Sequence, residues 1–249
     1  MGVEWHRSSL NEEIINASVA PYWRVRVINE TSSTQNDLAN LVNSGNAQSG
    51  EVIIAEYQSA GRGRLDRNFV APPKSSLLFS LYLQNEIENN WLPLIAGLAI
   101  CKVIPNSQLK WPNDIQINNK KCGGILAEKV YGGVIVGIGL NVSQSQEELP
   151  IPEATSLIQN ELSANRDELL ISILHELGKL FRNWPANKPE VFNEYLAKSS
   201  TIGKEVEVAL PNGEKITGLA KTLSAKGELV VGNTEVQVGD VRHLRLMNE

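Results

Sequence analysis

The 249-residue chain contains little cysteine and little histidine: the cysteines are Cys101 and Cys122, and the histidines are His6, His175 and His243. No Cys-x-x-Cys pair occurs, no histidine lies near either cysteine, and the histidines do not have the spacing of metal ligands. We therefore expect two reduced, packed thiols of a cytoplasmic protein, and neither a disulfide framework nor a zinc site.

Long apolar runs and an excess of basic residues are also missing. The longest apolar stretch, residues 92–101, is about half of a membrane span, and the N-terminal MGVEWHRSSLNEE has no apolar core typical of a signal peptide. The net charge of −5 is opposite in sign to the basic face that nucleic-acid-binding proteins usually present. We therefore expect a soluble protein that binds neither a membrane nor nucleic acid.

On this acidic chain, the segment AEYQSAGRGRLDRNF, residues 55–69, carries a local concentration of arginine at Arg62, Arg64 and Arg67. An apolar run that predicts a buried strand leads into it, so the base of the loop is rigid. Glycines allow backbone N–H groups to approach a ligand, and arginine forks match phosphate oxygens. The segment indicates a loop that closes on a small anion, although a solvated basic turn has the same composition. It matches neither the P-loop nor the dinucleotide fingerprint.

A second unusual segment is KWPND, residues 110–114. Proline fixes the turn, so Lys110 and Asp114 have defined directions. A fixed ammonium suits a carboxylate or phosphate, and a fixed carboxylate can help to hold Mg²⁺. The alternative is a surface lysine beside a turn aspartate.

Two further patterns are compatible with a binding site. GGILAE (123–128) and GIGLN (137–141) place glycines inside strand-like runs, which is typical of close approach by a ligand or another backbone, or of a bulge. SSTQN (32–36) places hydroxyls at a predicted helix start. Capping accounts for one hydroxyl, and the second is available for a polar ligand group.

Hydrophobic periodicity predicts an α+β fold, with a largely antiparallel mixed sheet backed by helices. Strands are predicted over residues 23–28, 51–57, 75–83, 108–111, 114–117, 121–130 and 134–142. Helices are predicted over residues 31–45, 91–104, 165–184 and 189–200. After Thr201, short alternating segments separated by glycine turns predict a small antiparallel barrel of about five strands. We therefore expect two domains, residues 1–200 and 201–249.

Taken together, SSTQN, AEYQSAGRGR, KWPNDI, KKCGGILAE, GIGLNV and the C-terminal barrel resemble, in order and spacing, the biotin–protein ligases (biotin–[acetyl-CoA-carboxylase] ligases). The resemblance extends from about residue 25 to the end, and GRGR followed by KWPND is its most specific part. It implies a biotin/lipoate ligase-like catalytic domain and an SH3-like C-terminal domain. The implied reaction uses ATP and Mg²⁺ to convert biotin to biotinyl-5′-AMP. The biotinyl group then passes to a lysine of the biotin carboxyl carrier protein of acetyl-CoA carboxylase.

The resemblance also implies roles for individual residues. Catalytic roles fall on Arg64, Lys110 and Lys121. Biotin is expected to contact Ser33, Thr34, Gln35, Gln58, Gly61, Arg62, Gly63, Arg64, Lys110, Gly124, Ile125, Leu126, Gly137 and Gly139. ATP or the adenylate is expected to contact Arg62, Arg64, Arg67, Lys110 and Asn141. Asp114 is a candidate Mg²⁺ ligand, and Trp111 and Leu126 are candidates for an apolar wall.

The arginine loop departs from the family pattern GRGRxGRxW at two positions, with Asp66 for glycine and Phe69 for tryptophan. Asp66 adds negative charge near the expected phosphates, which bears on loop closure. Some relatives also carry an N-terminal winged-helix DNA-binding domain. The segment before residue 23 is too short for one, so we expect no transcriptional role.

Two other functions stay open at this point. A lipoate- or octanoyl-transferring enzyme of the same fold would also modify a carrier lysine. A non-catalytic protein-binding module would use the SH3-like barrel alone. The sequence is compatible with a monomer and with a homodimer.

Overall fold

The computed structural model describes residues 7–64, 67–84 and 90–244. Its first sheet has seven strands in the order β1-β2-β3-β7-β6-β5-β4. Only β1 and β2 pair in parallel, and the other neighbours are antiparallel. The strands are β1 (Arg24–Thr31), β2 (Glu51–Gln58), β3 (Ser76–Gln84), β4 (Ser107–Lys110), β5 (Asp114–Ile117), β6 (Lys120–Val130) and β7 (Gly133–Asn141). The prediction of a largely antiparallel mixed sheet is confirmed.

Helices cover both faces of this sheet. They are α1 (Glu12–Val19), α2 (Thr34–Asn43), α3 (Trp91–Val103), α4 (Arg166–Arg182) and α5 (Lys188–Lys198). Because successive side chains of a strand point to opposite faces, Val52 and Ile54 join the main core with α3 and α4, while Ile53 packs beneath α2. The helix α3 is apolar almost all round and is accordingly buried along most of its length.

The first helix, α1, is absent from the predicted elements. Asn11 caps it by accepting a hydrogen bond from the Ile14 backbone N–H, and two glutamates occupy its first turn. Asn165 caps α4 in the same way, since its side chain accepts from the Glu168 backbone N–H. The helix α2 begins at Thr34, later than predicted, because β1 continues to Thr31.

The chain after Thr201 forms a second, fully antiparallel sheet in the order β11-β10-β9-β8-β12. Its strands are β8 (Glu205–Ala209), β9 (Lys215–Leu223), β10 (Leu229–Val231), β11 (Thr234–Val236) and β12 (Asp240–His243). The five antiparallel strands predicted for this part are confirmed. Among the described residues the sheet does not close on itself, and β11 and β12 are its edges.

Two buried tryptophans join the sheets. The Trp91 indole N–H donates to the Ala225 carbonyl at 3.1 Å, and the Trp111 indole N–H donates to the Gly227 carbonyl at 3.4 Å. The Trp111 backbone N–H donates to Thr201 Oγ1 at 3.1 Å. These contacts hold the second sheet against the KWPND turn and bring β12 to the end of the first sheet.

The two cysteines are free and buried, as predicted. Burial raises the pKa of the Cys101 thiol to about 11 and that of Cys122 to about 12, so both stay protonated and unreactive at neutral pH. Within residues 7–64, 67–84 and 90–244, no helix combines the length and apolarity needed to cross a membrane.

Candidate active site

A cavity of about 590 Å³ lies where α2 begins, where β2 ends, and beneath the arginine loop, here defined as residues 59–70. The KWPND turn and β12 complete its wall. The structure brings nearly all of the predicted site residues to this cavity. They are Ser33, Thr34, Gln35, Gln58, Arg62, Gly63, Arg64, Arg67, Lys110, Trp111, Asp114, Lys121, Gly124, Ile125, Leu126, Gly137, Gly139 and Asn141.

Gly61 does not line the cavity. A Cβ at this position would lie 2.4 Å from the Phe69 carbonyl oxygen and 2.9 Å from Gln58 Nε2. The Phe69 backbone N–H also donates to the Gly61 carbonyl at 2.9 Å. The close approach that Gly61 permits is therefore to the other side of its own loop.

One end of the cavity is uncharged and polar. This polar end consists of Ser33, Thr34, Gln35, Gln58 and Ser80. The Thr34 backbone N–H donates to Gln58 Oε1 at 2.7 Å, and the Thr34 and Ser80 hydroxyl oxygens are 2.8 Å apart. Ser80 donates to Gln35 Oε1 at 3.0 Å. Ser33 precedes α2 without a side-chain cap bond, so its buried hydroxyl is available to a ligand.

Two glycines of β7 make room for side chains in this region. A Cβ on Gly137 would lie 2.5 Å from Gln35 Oε1, and a Cβ on Gly139 would lie 2.7 Å from the Phe69 ring. The predicted close approach at these positions is therefore observed, and side chains of the protein itself make it. Gly124, on β6, has only Lys121 side-chain atoms and an Asp114 oxygen nearby, at 3.5–4.0 Å.

The opposite end of the cavity is charged. This charged end consists of Arg64, Arg67, Lys110, Asp114, Lys121 and Asp240, four cations and two carboxylates. Lys121 Nζ lies 2.6 Å from Asp114 Oδ1, and Arg67 forms an ion pair with Asp240. The cations outnumber the carboxylates, so this end of the cavity suits an anionic ligand.

Arg64 reaches across the charged end to both sheets. Its Nη1 donates to Asn113 Oδ1 at 3.2 Å and to the Gly239 carbonyl at 3.5 Å. Burial lowers the pKa of Arg64 from its ordinary value, and Asp240 and Asp114 oppose that shift. An arginine keeps its charge under these conditions, so Arg64 is a fixed, partly desolvated cation.

Asn141 and Asp114 both have partners within the protein. Asn141 lines the cavity, but its amide donates to the Thr155 carbonyl and accepts from Gln144 Nε2, each at 3.0 Å. In the described ranges no three His, Cys, Asp or Glu side chains converge as a metal site. Asp114 stays a candidate Mg²⁺ ligand, and one of its oxygens is in the ion pair with Lys121.

An apolar wall lies between the two ends. Trp111 and Leu126 are part of it, as predicted, together with Phe69, Leu78, Phe79, Ile125 and Ile138. Phe69 takes the position at which family members commonly have tryptophan, and its ring covers Gly139. Asp66 lies outside the described residues, so its effect on the loop stays a prediction.

The structure adds several site residues that the sequence patterns did not single out. Ser80 is a buried hydroxyl within the apolar run of β3, Asn113 lies inside KWPND, and Asp240 comes from the second sheet. A serine in the middle of SLLFSLYLQ was the one local signal, since a polar side chain in a strand buried on both faces needs a partner. Asp240 is brought in only by the packing of the two sheets.

Comparison with known proteins agrees with this geometry. The biotin/lipoate A/B protein ligase family model matches residues 27–145, and the biotin protein ligase C terminal domain model matches residues 201–240. The chain is 37% identical over 255 residues to the biotin–[acetyl-CoA-carboxylase] ligase of Mycobacterium tuberculosis, with 95% of each chain covered. It is 36% identical over 137 residues to the bifunctional ligase/repressor BirA of Bacillus subtilis, covering 50% of this chain and 41% of that protein.

Among solved structures, the biotin protein ligase from Aquifex aeolicus in complex with biotin and ATP aligns with a TM-score of 0.78 at 30% identity. The alignment covers 89% of this chain and 99% of that one.

Proposed function

Because the chain belongs to the biotin/lipoate A/B protein ligase family, we propose that it is a biotin–protein ligase. It activates biotin with ATP as biotinyl-5′-AMP and then transfers the biotinyl group to a carrier lysine. The observation that carries this proposal is the single cavity that joins an uncharged polar end, an apolar wall and a charged end. Biotin has the same three parts in the same order: a ureido group, a tetrahydrothiophene ring with its valeryl chain, and a carboxylate.

The polar end fits the ureido group. Ser33 and Thr34 offer buried hydroxyl groups and Gln58 offers a partly buried amide, and such groups discriminate strongly when the ligand pairs with them. A lipoyl ring has no such donors or acceptors and would leave the buried Ser33 hydroxyl, which makes no cap bond to α2, without a ligand partner. The geometry therefore favours biotin over lipoate or octanoate.

The charged end fits the first chemical step. An oxygen of the biotin carboxylate attacks the α-phosphorus of ATP, and pyrophosphate leaves. Two anions must meet, and Arg64, Arg67, Lys110 and Lys121 offset their repulsion and the charge of the transition state. Mg²⁺, when bound beside Asp114, would neutralise further phosphate charge. The wall of the cavity holds the two reactants in line.

The second step needs no protein nucleophile. The amine of the carrier lysine attacks the acyl carbon of biotinyl-5′-AMP, and AMP leaves. Until then the adenylate must be kept from water, and the arginine loop covers the cavity from above. Arg64, which contacts both sheets, retains the adenylate while the carrier docks.

We further propose the finer properties that the sequence predicts. The acceptor is the biotin carboxyl carrier protein of acetyl-CoA carboxylase, and the enzyme acts in the cytoplasm, in keeping with its two unpaired thiols. The catalytic part comprises residues 1–200 and the SH3-like part residues 201–249. The acidic composition supports a function without nucleic acid, and both a monomer and a homodimer are compatible with it.

Pyrophosphate release from ATP and Mg²⁺, without any carrier, tests the proposal. The protein should release pyrophosphate with biotin and not with lipoate. Release with lipoate alone would contradict the assignment of the polar end. The absence of release with either acid would mean that the site cannot form an adenylate, and Asp66→Gly would then show whether the loop is the cause.

A further inference from the structure

The first two arginines of the arginine loop, Arg62 and Arg64, lie at opposite ends of the cavity. Arg64 contacts Asn113 and the Gly239 carbonyl at the charged end. Arg62, two residues earlier, instead forms a forked pair with Glu128, with Nη1–Oε2 at 2.9 Å and Nη2–Oε1 at 2.7 Å. Arg62 Nη1 also donates to Asn36 Oδ1, at 3.2 Å, in the first turn of α2.

Glu128 connects Arg62 to the polar end. Its Oε2 atom also accepts a hydrogen bond from Gln35 Nε2 at 3.1 Å. Gln35 accepts from Ser80, which contacts Thr34, so an unbroken series of hydrogen bonds runs from the loop to the start of α2. The carboxylate of Glu128 is thus the place at which the buried polar groups meet the loop.

The position of Glu128 is fixed by the sheet. It lies opposite Ile135 in an antiparallel pairing of β6 and β7 that runs without interruption from Gly123 to Val130. A group on a rigid strand can hold a loop residue in place more accurately than another loop can. Arg62 is therefore anchored by the sheet, although it belongs to the loop.

The fork has a consequence for charge. Both oxygens of Glu128 are used by Arg62, and the pair is electrically neutral. To bind a phosphate with the same two nitrogens, Arg62 would have to leave Glu128 and Asn36. Arg64, Arg67, Lys110 and Lys121 have no comparable attachment to the polar end.

This inference rests on the proposed function. We propose that Glu128 is a positioning residue that holds Arg62 at the polar end of the cavity, where biotin binds. Glu128 orients the fork of Arg62 and the amide of Gln35 together, so that the first arginine of the loop closes over biotin. The phosphates of ATP are bound by the other cations of the cavity, Arg64, Arg67, Lys110 and Lys121. Of the two roles that the family resemblance implies for Arg62, this chain then uses the biotin role.

Two substitutions separate this role from a general contribution of charge. Glu128→Gln keeps the shape of the side chain and removes the negative charge that holds the Arg62 guanidinium. Arg62→Lys keeps the positive charge but cannot bridge both carboxylate oxygens. A matched control is Glu51→Gln, which removes the partner of Arg24 in a 2.7 Å ion pair of similar exposure, on strands β1 and β2.

The experiment measures the Kd for biotin by calorimetry without ATP, and the KM for biotin and for ATP by pyrophosphate release. Both variants should weaken biotin binding and raise its KM by roughly 10-fold, as expected for a lost charge-assisted hydrogen bond. The KM for ATP should stay within about 2-fold of the parent value, and E51Q should change none of the three. Melting temperatures of the variants show that each is folded, since pairs of this exposure contribute little to stability.

The opposite pattern would overturn the inference. If R62K or E128Q raised the KM for ATP and left biotin binding unchanged, Arg62 would serve the phosphates. If E128Q bound biotin as tightly as the parent, Glu128 would have no positioning role. A parent protein that binds no biotin would instead overturn the proposed function itself, and the inference with it.

Discussion

At the residue scale, the chemistry of the cavity depends on which partner each charged side chain has. Arg62 is paired with Glu128, Arg67 with Asp240 and Lys121 with Asp114, whereas Arg64 contacts neutral oxygens. Arg64 is consequently the cation with the least compensated charge in the loop. On the proposed function, this difference predicts separate roles for the three arginines of the loop.

Arg64→Gly should therefore affect retention of the intermediate more than its formation. Loss of the contacts to Asn113 and Gly239 opens the charged end. We expect pyrophosphate release to continue while biotinyl-5′-AMP accumulates in solution, roughly 10-fold or more above the parent. Chromatography of the filtrate after removal of the protein measures this escape.

Arg26→Gly, an exposed position on β1, is the control for removal of an arginine side chain. The amount of biotinyl-5′-AMP in the filtrate should be the same for R26G as for the parent. An R64G variant that retains the adenylate as well as the parent does would remove Arg64 from this role.

His243 gives the fold a dependence on pH. Burial lowers the pKa of its imidazole from the ordinary value near 6.5, and the nearby Lys110 and Lys204 lower it further. His243 therefore binds a proton more readily in the unfolded chain than in the folded protein. The contribution of neutral His243 to the free energy of unfolding is complete above about pH 6.5 and is lost as the pH falls below that value. His243→Gln should abolish that part of the loss.

Denaturant midpoints at pH 7.5 and pH 5.5 measure the effect. The midpoint of the parent should fall more between the two values than that of H243Q. Equal changes in the two proteins would show that His243 is not responsible.

At the element scale, period-two and helical patterns predicted every strand of the first sheet and helices α2 to α5 to within a few residues, because these elements bury continuous apolar faces. The helix α1 was missed since it is short and only Ile15 and Val19 are buried. The site residues came from motifs within single elements. Glu128 and Asp240 were not predicted, since their roles arise from partners that are distant in sequence and meet only after folding.

The contact between β12 and the arginine loop leads to a prediction for the ligand-free protein. Asp240→Asn keeps the shape of the side chain but removes the ion pair with Arg67. Exposed pairs contribute at most about 1 kcal/mol, so the loop should open about 2- to 5-fold more often. The rate of tryptic cleavage after the loop arginines measures this opening.

Glu207→Gln, which removes an ion pair with Lys215 in the same sheet, is the matched control and should leave the rate unchanged. Biotin and ATP together should protect D240N and the parent alike. Equal cleavage of the ligand-free D240N and parent proteins would contradict a restraining role for Asp240.

At the scale of the whole molecule, residues of both sheets line the cavity. Asp240 and Val241 of β12 line it, and the buried indoles of Trp91 and Trp111 donate to carbonyls of the turn between β9 and β10. Two parts joined by fully buried aromatic side chains should unfold together, even though they carry separate sheets.

Scanning calorimetry should therefore show one transition. Trp91→Phe removes the bond to Ala225 and part of a fully buried side chain, at a cost of roughly 1–3 kcal/mol. At about 2–4 °C per kcal/mol for a protein of this size, the whole transition should move down by several degrees. Two transitions, of which W91F shifts only one, would show that the sheets are independent.

The most direct test of the central claim is mass spectrometry of an intact carrier domain after incubation with the protein, ATP, Mg²⁺ and equal concentrations of biotin and lipoate. We expect the addition of one biotinyl group, and no addition when the acceptor lysine of the carrier is replaced by arginine. A lipoyl adduct, or an unmodified carrier in a mixture where pyrophosphate accumulates, would contradict the claim that this cavity makes biotinyl-5′-AMP for transfer to a carrier lysine.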